Sequence, residues 1–67
     1  MYLNNDQKRN IIEQRLVQFS AEKYQHELNL TFAQAVNDTE AIKTATDSIA
    51  IIEQAISVHE AELNNLV

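Results

Sequence analysis

Two histidines, each with a carboxylate at helical spacing, are the side chains best suited to chemistry. Glu22 and His26 stand four residues apart, and His59 and Glu62 three apart. Either pair would place two ligands on one helix face. Two ligands fall short of the four that a structural zinc takes. Di-iron bundles use Glu-x-x-His pairs with further carboxylates, and no Glu-x-x-His occurs here. In a hairpin the two histidines would also lie roughly 15 Å apart in level, at about 1.5 Å of rise per residue. The expectation is no metal and no cofactor.

Nucleophilic chemistry has as little to build on. Ser20, Ser48 and Ser57 have no flanking glycine, because the chain contains none, so no nucleophile elbow can form. A pair of helices offers no concave pocket of its own. The chain is expected not to be an enzyme and to take no small-molecule substrate.

His59 stands in an otherwise apolar stripe and has two readings. A buried imidazole resists protonation, so it would weaken the structure on acidification. The plainer reading is a polar residue that sets the register of packed helices.

Lys8, Arg9 and Arg15 form a thin basic cluster, mixed with Asp6 and Glu13. Residues 1–37 balance four cations against four acids, whereas residues 38–67 set Lys43 against six acids, so the net charge of −5 lies in the second half. An acidic half repels phosphate backbones and anionic membrane surfaces. Nucleic acid and membrane are therefore disfavoured as partners, and another protein is expected. A small dimeric helical-bundle regulator that binds nucleic acid or another protein is the alternative.

The N-terminus lacks the apolar run of a secretory signal. The longest apolar run, Ile49 to Ile52, is four residues, against the ~20 of a membrane span. A cytoplasmic or virion location is expected.

These side chains must be positioned by helices. Glycine and proline are both absent, which disfavours tight strand turns and removes the strong helix breakers. From Ile42, alternating steps of three and four reach Ala45, Ile49, Ile52, Ile56, His59, Leu63 and Leu66. Such a stripe stays on one face of a gently supercoiled helix. Ile51 and Val58 are apolar exceptions on its far side.

The first half carries two stripes. One runs Ile12, Leu16, Phe19, Lys23, His26, Leu30, Ala33; the other runs Val17, Ala21, Tyr24, Leu28, Thr31, Ala35. A surface helix needs one apolar stripe, so two predict burial against two neighbours. Tyr2 and Phe32 fall off both stripes and could anchor a partner, since aromatics dominate interface hot spots.

The break between the halves is "AVNDTEAIK", residues 35–43. Asn37 tolerates the left-handed conformation that ends many helices. Asn37 or Asp38 could cap the next helix, and Asn37 with Glu40 has capping-box spacing. Asn4 or Asn5 could cap the first helix, with Asp6 favoured in its first turn. Glu60 and Glu62 oppose the dipole at the far end, where the last turn is expected to fray unless covered.

The expected fold is all-α: an antiparallel two-helix hairpin, helix 5–36, turn 37–38, helix 39–65, as one domain over 1–67. Folding at Asn37 pairs positions whose numbers total roughly 75, which brings the first stripe onto the Ile/Leu stripe. The alternative is one long coiled-coil helix, because the second stripe keeps its phase through Asp38 into Ile42 and Ile49. That rod would expose Ile12, Leu16, Phe19 and Leu30.

A core this small supplies only about 3–5 kcal/mol unaided, and without cysteine no disulfide can help. The hairpin is therefore expected to assemble into a bundle or dock on a larger assembly, with Val17, Tyr24 and Leu28 as the free interface. The expected role is a small structural or adaptor protein, for instance a component of a phage or virus particle. In shape alone it is similar to small helical hairpins that dimerise into four-helix bundles.

Overall fold

The computed structural model describes residues 2–66. Two helices, α1 (Asn5–Ala35) and α2 (Thr39–Asn64), fold against each other as an antiparallel hairpin. The body measures 51 × 18 × 15 Å. A 31-residue helix is about 46 Å long at 1.5 Å per residue, so the arms lie side by side.

The chain turns at Asn37, whose φ is 55°. The Asn37 amide donates to the Gln34 carbonyl at 3.2 Å, and the Asp38 amide to the Ala33 carbonyl at 2.9 Å. This is a Schellman motif, which satisfies carbonyls that the helix end would otherwise orphan. Asn is one of few residues besides glycine that take the left-handed region at modest cost.

Asp38 then starts α2. Its backbone is extended, and its carboxylate accepts from the Ala41 amide at 3.1 Å. The capping box expected of Asn37 and Glu40 gives way to this arrangement, because Asn37 is committed to ending α1. Both helices stop one residue short of their expected ends, since Val36 and Asn65 are the capping residues.

At the other end of α1 the cap is Asn4. Its side-chain oxygen accepts from the Gln7 amide at 2.8 Å, and the Gln7 side chain accepts from the Asn4 amide at 3.0 Å. Two orphan donors are satisfied reciprocally, with Asn in the place that Ser or Thr more often fills.

Ile12, Ala33, Ala45 and Ile52 are buried. Ala33 and Ala45 lie near the turn, where small side chains let the two backbones approach. The rest of the seam is half-buried: Leu16, Phe19, Lys23, His26 and Leu30 from α1, and Ile42, Ile49, Ile56, His59, Leu63 and Leu66 from α2. Lys23 and His26 occupy seam positions by burying their carbon atoms while their polar ends reach solvent or a partner.

Candidate functional site

Cross-helix contacts set the register. Arg9 Nη2 donates to the Leu66 carbonyl at 3.3 Å. Arg15 Nη1 lies 3.5 Å from His59 Nε2. Phe19 packs edge-on against His59 with ring centres 4.8 Å apart. Lys23 Nζ stands 3.6 Å from Glu53 Oε2. Each pair's numbers total between 74 and 78.

His59 is thus a seam residue with defined partners. Its Nδ1 lies 2.7 Å from the Ala55 carbonyl, which can only accept, so Nδ1 carries the proton. In the neutral ring Nε2 is then the acceptor that faces the Arg15 guanidinium. The ring therefore packs between Ala55, Arg15 and Phe19.

The basic cluster is largely absorbed by the fold. Arg9 pairs with Asp6 at 3.2 Å and reaches across to Leu66. Arg15 faces His59. Arg9 also brings a positive charge to the C-terminal end of α2, where its own last turn has no basic residue. Sequence reading missed this role, although the pairing total places Arg9 level with Leu66.

Among the described residues, no three His, Asp or Glu side chains gather to hold a metal ion. No helix of the described residues is long and apolar enough to cross a membrane.

The expected interface residues separate into two groups. Ile12, Leu16, Phe19, Leu30, Ile42, Ile49, Ile52, Ile56, His59, Leu63 and Leu66 meet within the hairpin. Val17, Tyr24 and Leu28 lie outside it and are exposed. At about 100° per residue, the Val17–Ala35 stripe points about 150° away from the seam. It therefore forms the back of α1, facing away from α2. Every member of that stripe is exposed, with Val17 at 71 % and Tyr24 at 61 % of full accessibility.

Two more large apolar side chains border this back face. Ile11 and Phe32 are exposed beside the stripe, one near each end of α1. Ile11 was not singled out by periodicity, because it belongs to neither stripe. Tyr2, the other aromatic outside the stripes, projects fully into solvent ahead of α1.

The two broad sides of the hairpin differ. One carries shallow open grooves along its length. Leu3, Ile11 and Leu66 line the groove at the open end, Ile11, Val58 and His59 the next, and Phe32, Val36, Ala41 and Ser48 the one beside the turn. The helix repeat puts Glu13, Glu27, Glu53 and Glu60 on the other side. Outward on α2, Lys43 bonds to Asp47 at 2.9 Å. That hydrogen bond, helped by the Asp47 charge, raises the Lys43 ammonium above its ordinary value of 10.5.

No protein-family model, curated protein or solved structure matches this chain.

Proposed function

We propose that this chain is a small structural or adaptor protein that joins protein assemblies by helix packing. The observation that carries the reading is the back of α1. A helix with two apolar stripes has one covered by α2 and the other left open to water. Large exposed apolar patches on soluble chains mark interaction sites. The size of the hairpin points the same way, since four buried residues among those described make a core that needs support from a neighbour.

A protein partner fits better than nucleic acid. Two of the three N-terminal cations make contacts across the hairpin, and the second half carries the whole net charge of −5. A small-molecule substrate would want a concave, enclosed site, and the grooves here are shallow.

The test is mass and helix content together, by light scattering and circular dichroism, for the wild type and a Val17→Ser/Leu28→Ser variant. A folded oligomer whose association the variant loses supports the reading. A poorly helical monomer also supports it, with the missing half of the core supplied by another protein. A stably folded monomer whose stability the variant leaves unchanged refutes it.

A further inference from the structure

We propose that the partner on the back of α1 is a second copy of this chain, packed antiparallel so that the two α1 helices lie side by side. The inference rests on the helix-packing role above and names its partner.

Area is the first support. A folded monomer of 7.7 kDa is expected to expose about 4,300 Å², whereas this chain exposes 5321 Å². The excess of about 1,000 Å² is close to the ~800 Å² that each partner contributes to a stable interface.

Charge selects which helix meets which. α1 holds four cations and four acids, so it is neutral. α2 with its cap Asp38 sets one lysine against six acids. Two copies meeting through α2 would press −5 against −5, whereas meeting through α1 adds no net repulsion.

Charge also selects the register. With the two-fold axis level with Glu22 and Lys23, facing positions have numbers that total about 45. Val17 then meets Leu28 of the second copy, and Ala21 meets Tyr24, large against small, twice each by symmetry. Ile11 comes level with Phe32 at the edge of the contact. On the opposite edge Glu27 faces Ser20. Sliding by one heptad in either direction spoils this: one slip sets Glu27 against Glu27, the other sets Glu27 against Glu13. Like charges directly opposed are unfavourable. The antiparallel arrangement also sets the helix dipoles in opposition.

The outcome is a flat layer ordered α2–α1–α1–α2, since the back face of α1 points away from its own α2. An isologous contact of this kind closes after two copies.

The chain has no cysteine, so single-cysteine variants report without background. Gln18→Cys and Gln25→Cys chains are mixed and treated with a short bismaleimide, beside light scattering of the wild type, Tyr24→Asp and Ile51→Ser. The expected result is a wild-type dimer in which the 18–25 hetero-cross-link dominates both homo-cross-links. Tyr24→Asp should keep its helix content while its dissociation constant rises about 100-fold or more, because an unpaired carboxylate would be desolvated in the contact. Ile51→Ser, on α2, should leave the dimer intact. A dimer that cross-links 18 to 18, or that tolerates Tyr24→Asp, overturns the antiparallel contact but leaves the helix-packing role standing. A monomer overturns the self-association. If that monomer is also stably folded and Val17→Ser/Leu28→Ser leaves its stability unchanged, the broader role falls with it.

Discussion

Ile51 and Ile52 are neighbours of identical chemistry, about 100° apart around α2, one turned to solvent and one to the seam, so truncating each isolates the value of the seam. Ile52 is 8 % exposed and Ile51 67 % exposed. Ile→Ala removes three carbons, worth about 0.8 kcal/mol each when fully buried, or about 2.4 kcal/mol in all. Scaled by burial, Ile52→Ala loses about 2.2 kcal/mol and Ile51→Ala about 0.8 kcal/mol. Alanine improves helix propensity by the same few tenths of a kcal/mol at both sites, so that term cancels in the comparison. The difference is about 1.4 kcal/mol, roughly tenfold in the folding equilibrium, before any cavity left at Ile52 widens it. Urea titration followed by far-ultraviolet circular dichroism measures both, at one fixed chain concentration because association is linked to stability. Equal losses at the two positions would refute the register and the assignment of the seam face.

Other outcomes follow from the turn, the register and the outer face. Asn37→Gly should hold or raise the melting temperature, whereas Asn37→Val should cost about 1–2 kcal/mol, because a β-branched residue resists the left-handed region; a neutral valine would mean the chain does not turn there. A double-mutant cycle on Lys23 and Glu53 should show a coupling of about 0.2–1 kcal/mol at low salt that fades as salt is added; no coupling at low salt would argue against this helix register. Lys43 has its ammonium raised by Asp47, so its stabilising contribution is full below about 10.5 and is lost as pH rises through the raised value. Asp47→Asn should lower the Lys43 midpoint in a resonance titration, and an unmoved midpoint would remove the pair from the account.

The hairpin was legible because the burial pattern follows the spacing of apolar residues. Each described seam position from Ile42 to Leu66 faces α1, and the stripe from Ile12 to Ala33 faces α2 even where it holds Lys23 and His26. The second stripe was legible as a free surface for the same reason. Its unbroken phase through Asp38 made a continuous rod conceivable, and periodicity alone has no means of choosing. The choice lies in local backbone chemistry, with Asn37 left-handed and Asp38 serving both as the last residue of one motif and the cap of the next helix. The expected Asn37–Glu40 box failed because one residue cannot end a helix in the left-handed region and also hold the extended geometry of an N-cap. Arg9, Arg15 and Phe19 found their partners through side-chain conformations, which the pairing total brings into range but does not choose.

The division of labour between the helices gives the assembly a natural limit. α1 is neutral and apolar on two opposite faces, which suits the middle of a layer. α2 is apolar on one face and acidic elsewhere, which suits its edge. Ile51 and Val58 are its exposed large apolar side chains, seven residues apart on one line. The rest of its exposed surface carries Glu40, Asp47, Glu53, Glu60 and Glu62, which keep the outer helix strongly negative. Once two copies have joined through α1, the apolar stripe is consumed, and the edges offered to a third copy are like-charged. Repulsion between those edges opposes further growth through α2. A larger partner that docks on the finished layer would therefore have to bring positive charge to the α2 edges, or enter by the grooved broad side, where Phe32, Val36 and Ala41 leave an apolar path beside the turn.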